Sequence, residues 1–259
     1  MHHSPDVGDP VLTEVRGTAL VITLNRPTVR NAIDAPTATA LDAALSALDD
    51  DERLRAGILT GAGGHFCSGM DLKAFPEHGI PTVAERGLAG LTRSRRSTPL
   101  IAAVEGAAVA GGFELALACD LIVAGESAFF GLPEVARGLV ASEGGAIRLP
   151  GRLPYHLAME LLLTGDRLPA FRAEHHGLIN RLVPDGQAVT AALELAERIS
   201  RHTSDAVTTV KRIVHSTRGH DEPTAFILQD PISKQLMTSP QAAAGARRFT
   251  QRTTRGASL

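Results

Sequence analysis

Tryptophan is absent from the chain, tyrosine occurs once, and eight phenylalanines are the only other aromatics. Stacking recognition of single-stranded nucleic acid needs a platform of such rings, so this scarcity argues against that partner class. Net charge is just as thin. Twenty-six basic and 28 acidic side chains leave −2, which supplies no field to draw in DNA, RNA or an anionic membrane surface. No apolar run approaches the ~18 residues that a membrane-spanning helix requires. The N-terminal MHHSPDVGDP is polar and carries no apolar signal core. Only two cysteines, Cys67 and Cys119, are present. Their separation suggests no disulfide framework and a reducing, cytoplasmic setting. Motifs are missing too: there is no GxGxxG followed by an acidic residue, no GxSxG elbow and no His/Cys cluster at metal-ligand spacing. His2 and His3 stand side by side in the segment 1–10, which reads as a loose N-terminus where histidines are solvated.

What is present is enough apolar material for a large core. The 259 residues are 44% hydrophobic, which suits one α/β domain with an appendage. VLTEV (11–15) and ALVITL (19–24), separated by a turn at Arg16-Gly17, read as a β-hairpin. Leu41, Leu45 and Leu48 recur on one face of a helix over 37–50. AGILT (56–60), LIAAV (100–104) and LIVA (121–124) are buried-type strands, and helical patterns follow around Leu157–Leu162, over 188–199 and from Ser204 onward. Repeated strand–strand–helix units with glycine turns predict a layered α/β core with a helical C-terminal extension.

Two glycine-rich stretches carry chemistry. GAGGHFCSG (61–69) has four glycines in nine residues and leads into Met70-Asp71-Leu72. Glycine lets backbone approach a ligand closely, so this segment is either an ordinary strand-to-helix loop or a loop whose N–H groups point into a site. In VEGAAVAGGFELALACDLIVAGESAFFGLPE (104–134), Gly111-Gly112 reads as the start of a short helix with Glu114 on its first turn. A helix N-terminus offers unpaired N–H groups and a positive dipole end, which suits a developing negative charge. Glu134 follows twenty residues later, after Pro133. Two carboxylates beside an anion site are the minimum equipment for moving protons. The plain alternative makes Glu114 a dipole-favoured acid and Glu134 a surface residue after a turn. Between these stretches, Arg93, Arg95 and Arg96 form a basic cluster, read as a solvated face or a mobile flap over an anionic ligand.

The set RPTVRNAI (26–33), ILTGAGGHFCSGMDLKAF (58–75), residues 99–134, GLVASEGGAIRLP (138–150), AMELLLTGDRL (158–168) and HHGLINRLVPDG (175–186) resembles the enoyl-CoA hydratase/isomerase, or crotonase, superfamily. The resemblance implies a spiral of ββα repeats over 11–200 and a helical region over 201–259 that builds trimers or dimers of trimers. It implies an acyl-CoA thioester substrate and no metal or redox cofactor. By resemblance, the backbone N–H groups of Met70 and Gly111 form an oxyanion hole, with Gly69, Asp71 and Leu72 around it. Glu114 and Glu134 hold one water, which adds to C3 of a 2-enoyl-CoA while a proton goes to C2; Glu134 handles that proton and Glu114 helps activate the water.

Possession of both glutamates points to a hydratase, since isomerases of the family generally need only the one at 134. GGFELALACD and FGLPE also resemble carnitinyl-CoA dehydratase-like members, and a non-catalytic acyl-CoA binder is the reading of another class. The chain departs from hydratases at Ala141, Ser142 and Glu143, where Pro and then Gly are usual. That loop borders the water and acyl group, which places Ser142 and Glu143 where substrate choice is made; Glu143 is otherwise a solvated loop residue. The tail AAGARRFTQRTTR (243–255) keeps Phe249 and Arg252 at an aromatic and a basic position that contact CoA, and Lys73 is a further contact for the CoA phosphates.

Overall fold

Strands buried on both faces make the frame of this protein, because their alternate side chains enter two different cores. The structure, a computed structural model, describes residues 8–245 and 247. The chain divides into two units, one ending at Ser200 and the other beginning at Arg201.

The first unit opens with β1 (Val11–Arg16) and β2 (Ala19–Leu24), then α1 (Ala35–Asp50), β3 (Ala56–Gly61) and α2 (Phe75–His78). It continues through β4 (Leu100–Val104), β5 (Ala107–Val109), α3 (Gly111–Ala118), β6 (Leu121–Gly125) and β7 (Phe129–Gly131). A 3-10 turn over Pro133–Arg137 precedes α4 (Gly145–Arg148), α5 (Tyr155–Thr164), β8 (Leu168–Pro169), α6 (Ala170–His175), β9 (Arg181–Val183) and α7 (Ala188–Ser200). The strands form a six-stranded sheet in the order β1-β2-β3-β4-β6-β9 and a three-stranded sheet in the order β5-β7-β8. Only the β1–β2 and β7–β8 pairs are antiparallel. After β4 the chain crosses to β5 and then to α3; after β6 it crosses to β7 and then to the 3-10 turn. The first strand of each pair joins the large sheet and the second joins the small one, which is the ββα spiral that the resemblance implied.

Alternation along the strands sorts the core. Leu20, Ile22 and Leu24 of β2, with Leu100, Ala102 and Val104 of β4, enter the larger core beside Leu41, Leu45 and Leu48 of α1. Ala19, Val21, Ile101 and Ala103 face the opposite way, onto Ala188, Ala191, Ala192 and Ala196 of α7. Helix α1 begins two residues before its leucine pattern suggests, because the Asp34 side chain accepts from the Thr37 N–H and caps it. The short strands β5, β7, β8 and β9 have too few residues for a period to show, and the sequence pattern did not reveal them. Asp9 and Pro10, expected in a loose N-terminus, accept hydrogen bonds from Asn25 through their carbonyls (3.1 and 2.8 Å).

The second unit contains α8 (Ser204–Thr217) and α9 (Glu222–Met237), which pack on each other. Asp221 caps α9 by accepting from the Thr224 N–H. No helix among the described residues is long and apolar enough to cross a membrane.

Gly112 is one of the tight points of the frame, because an added Cβ would overlap the Cys67 carbonyl oxygen. Gly112→Ala is expected to lose about 1–3 kcal/mol in a urea titration, whereas Gly8→Ala, which meets nothing within 4 Å, should leave the midpoint where it is.

Candidate active site

The site is assembled from backbone before any side chain enters it. Ile33 forms a parallel bridge with Met70: its N–H donates to the Gly69 carbonyl (2.8 Å) and its carbonyl accepts from the Asp71 N–H (2.8 Å). Those bonds run through Gly69 and Asp71, so the Met70 N–H lies outside the ladder. Gly69, at φ +91°, allows the next segment to come close, because a Cβ there would lie 2.9 Å from the Gly111 nitrogen. A Cβ on Gly111 would in turn lie 3.6 Å from the Met70 nitrogen. Gly111 opens α3, and a first helical residue has no intrahelical acceptor for its N–H. Two backbone donors on separate segments are thereby brought side by side. Ala110, which turns the chain into α3, holds φ +51° and ψ −130°, a strained conformation for a residue with a side chain.

Both donor residues line a cavity of about 470 Å³, and so do Leu72, Glu114, Glu134, Ser142 and Glu143. Glu114 is 3% exposed. Its Oε1 accepts the N–H groups of Glu143 and Gly145, both at 2.8 Å. Burial pushes its carboxyl up to about 7; the two backbone donors oppose this, and the neighbouring Glu134 and Glu143 carboxylates add to it. Glu134 lies on the Pro133–Arg137 turn, and its Oε2 is buried without a hydrogen-bond partner. Burial raises this carboxyl also, against the pull of its own backbone N–H and of Arg137. An orphaned buried carboxylate oxygen is rare in a folded protein, and here it lines the same cavity as Glu114. The plain alternative for the pair, a helix-start acid and a surface acid, does not describe this placement.

Other expected residues fall outside the cavity. Gly69 shapes the backbone behind it. The Asp71 carboxylate pairs with Arg26 at 3.2 Å, and Arg26 also pairs with Asp34 at 3.0 Å. Asp71 therefore braces the Met70 bridge from behind. Lys73 is exposed, and its N–H donates to Asp71 (3.1 Å). Phe249 and Arg252 lie outside the described residues.

The solvated reading of Glu143 is corrected, because its side chain is 4% exposed and paired with Arg93 at 2.7 Å. In the basic cluster the solvated reading fits the exposed Arg93 and Arg95 and is corrected at Arg96. Arg93 holds Glu143, and the Arg96 side chain, 10% exposed, pairs with Asp42 (3.0 Å) and Asp49 (3.5 Å). Neither forms part of a free basic flap. Arg95 alone of the three is exposed with no such pairing among the described contacts.

Sequence reasoning missed several lining residues, among them Phe75, Ile80, Leu88 and Arg137. Arg137 had a signal, since it stands three residues after Glu134 and three is the repeat of a 3-10 turn. The others lie in stretches without periodicity.

Comparison with known proteins bears on the family and the fold. The family model described as enoyl-CoA hydratase/isomerase matches residues 14–255. A curated enoyl-CoA hydratase, EchA19 of Mycobacterium tuberculosis, is 42% identical over 252 residues, 95% of each chain. The carnitinyl-CoA dehydratase of Proteus mirabilis is 43% identical over 206 residues, 78% of each chain. Among solved structures, an enoyl-CoA hydratase from Mycobacterium tuberculosis superposes with a TM-score of 0.91 at 50% identity, covering 95% of this chain and 97% of that one.

A carboxyl that keeps its proton up to about 7 in the fold gives it up near 4.3 when unfolded. Between those values the folded state binds more protons, so this group makes stability fall as pH rises through the window. Glu114→Gln keeps an acceptor for both N–H groups and cannot ionise. Thermal melts should show the variant more stable than its parent by about 1–3 kcal/mol above pH 7 and level with it near pH 4. A parent that is the more stable above pH 7 would refute the burial of a charge at this position.

Proposed function

The chain belongs to the enoyl-CoA hydratase/isomerase family, and on that premise we propose that it adds water across the 2,3-double bond of a 2-enoyl-CoA thioester. The product is the 3-hydroxyacyl-CoA, and elimination of water is the same step reversed. One observation carries the reading: the buried Glu114 carboxyl and the half-buried Glu134 carboxyl, both raised above their ordinary range, share a cavity with the Met70 and Gly111 backbone donors.

In this mechanism the thioester oxygen takes the two N–H groups. Attack at C3 drives the π pair through C2 toward that oxygen, and donors already in place stabilise the resulting enolate by roughly 3–4 kcal/mol each. Water bridges the carboxylates. Glu114, fixed through Oε1, accepts a hydrogen bond from it and polarises it; Glu134, with a carboxylate oxygen still available, relays the water proton to C2. The oxygen ends on C3 and the proton on C2, so atoms balance without a metal or redox cofactor. General acid–base help of this kind contributes about 10²–10⁴-fold.

Leu72 and Ser142 fall on the acyl side of this assignment. Lys73, Phe249 and Arg252 are its CoA contacts. The setting is cytoplasmic acyl-CoA metabolism, fatty-acid metabolism included. Identity with a carnitinyl-CoA dehydratase favours a second reading, elimination of water from a different 3-hydroxyacyl group at the same pair. An isomerase reading is weaker, because Glu114 is held by two dedicated donors, and a pure binder gains nothing from two desolvated carboxyls.

Assembly as a trimer or a dimer of trimers is part of the same proposal. It is supported by the exposed apolar side chains Val210 and Val214 on α8 and Phe226 and Ile227 on α9. Sedimentation equilibrium should return three or six copies, and a monomer at micromolar concentration would remove assembly from the proposal.

Purified protein should bleach the absorbance of a 2-enoyl thioester, and Glu134→Gln should lower that rate by about 10²–10⁴-fold. Full activity in Glu134→Gln would end the assignment of roles, and survival of most activity in Glu114→Ala with turnover of a 3-enoyl-CoA would favour the isomerase.

A further inference from the structure

Glu143 is a second buried acid in this cavity, and the hydration step makes no use of it. It is 3% exposed, and its contacts run two ways. Its carboxylate reaches the segment after α2: Oε2 accepts the Leu88 N–H (2.9 Å) and the Thr92 hydroxyl (2.7 Å), and Oε1 accepts from the Arg93 guanidinium (2.7 Å). Its backbone reaches the catalytic pair, because the Glu143 N–H is one of the two donors on Glu114 Oε1. The Glu143 carbonyl accepts from Arg148 (3.1 Å), and Arg148 also donates to the Thr92 carbonyl. Leu88, held by the Glu143 carboxylate, packs against the oxyanion side, since a Cβ on Gly111 would lie 2.7 Å from Leu88 Cδ2.

We propose that Glu143 is a positioning residue for the hydration step: it ties the donor loop of Glu114 to the Leu88–Arg93 wall, so that base and oxyanion donors keep one register. The inference rests on the hydratase reading. A buried carboxylate with three protein donors, one of them a cation, is a stable tie, and taking away one partner of such a pair is far more disruptive than never having built it. The loop needs a tie of this kind. Ala141 and Ser142 put no ring constraint on the backbone, and α4 is a single turn. The charges acting on Glu114 are the Glu134 carboxylate of the 3-10 turn, with Arg137 beside it, and the Glu143 carboxylate, which Arg93 of the wall offsets through their 2.7 Å pair, while Arg148 of α4 holds the Glu143 carbonyl. Removing the Glu143 charge and removing the Arg93 charge therefore act on Glu114 with opposite signs.

The test uses the full-length protein and two variants, Glu143→Gln and Arg93→Met. The expected result is a kcat lower by about 10- to 100-fold in Glu143→Gln with KM changed by less than about threefold, the pattern of an interaction realised in the transition state. The Glu114 carboxyl carbon, labelled with ¹³C and assigned with Glu114→Gln, should titrate at lower pH in Glu143→Gln and at higher pH in Arg93→Met. Loosening of the fold alone would not move the two variants in opposite directions. If Glu143→Gln does not fold, the upward shift in Arg93→Met carries the test. Parent-like kcat and parent-like titration in the folded variants would overturn the proposal. A kcat that falls while Glu114 titrates as in the parent would overturn it too. Failure of the parent to hydrate any 2-enoyl-CoA would sink the hydratase reading instead, and the Glu114 resonance would still report whether Glu143 acts on it.

Discussion

Two lengths of backbone approach one another at Gly69 and Gly111, closer than any side chain would permit. A Cβ on Gly69 would lie 2.9 Å from the Gly111 nitrogen, so the pairing depends on glycine at 69, while a Cβ on Gly111 would meet the Leu88 side chain rather than the facing backbone. Most of the site is a consequence of this contact. It sets the Met70 and Gly111 N–H groups beside each other, and it starts α3 at a point from which Glu114 falls on the first turn. Strain at Ala110 is part of the same turn, where the chain swings from β5 into the helix with φ at +51°. Strain of this kind persists only where surrounding structure holds it. Here the holding comes from the Ala110 N–H on the Gly131 carbonyl (2.8 Å) and from the Cys67–Ala108 bridge.

Charge makes the opposite demand. Glu114, Glu134 and Glu143 are three acids around one cavity, and burial makes each ionised carboxylate costly. The three are handled differently. Glu143 is neutralised by Arg93, Glu114 keeps two backbone donors and a raised pKa, and Glu134 keeps an oxygen with no partner. The frame is where stability is recovered: β2, β3 and β4 bury both faces, and the alanines of α7 let that helix lie close on the sheet. Function is concentrated where the structure is least favourable, and the six-stranded sheet makes that tolerable.

Legibility followed the same division. ALVITL, AGILT and LIAAV could be read as strands because both faces are apolar, and the α1 leucines because their spacing is helical. Gly111-Gly112 followed by Glu114 was legible as a helix start with an acid on its first turn. Pairing of that helix with Met70, more than forty residues earlier, was not legible from pattern, because it depends on a single bridge to Ile33. It entered through resemblance alone. Glu143 and Arg96 were misjudged for a common reason. A charged side chain in an aperiodic stretch reads as solvated, and its partners, Leu88 and Thr92 for the one and Asp42 for the other, lie roughly fifty residues away.

That misjudged stretch is the least regular wall of the cavity. Residues 79–98 contain one 3-10 turn, over Ala84–Arg86, and one isolated antiparallel bridge, Thr82 to Leu88, so backbone pairing fixes only a short part of their path. Charge pairs fix the rest. Arg86 and Arg96 converge on Asp42 of α1, and Gly90 lies so close to Asp42 that a Cβ would collide with it. Arg93 and Thr92 close the far end on Glu143. A wall tied at a few points can change its apolar lining between those points, at Ile80, without moving the backbone that carries Met70 and Gly111; Leu88 is itself a tied point, held by Glu143 and lying against Gly111. In the proposed reaction this wall faces the acyl group, and Leu88 is where it touches the oxyanion side. Glu143 is where the two meet, since one residue serves the wall through its carboxylate and Glu114 through its backbone. On the proposed function, changes of acyl preference can accumulate along 79–87 at little expense to the chemistry, until they reach Leu88, which Glu143 holds.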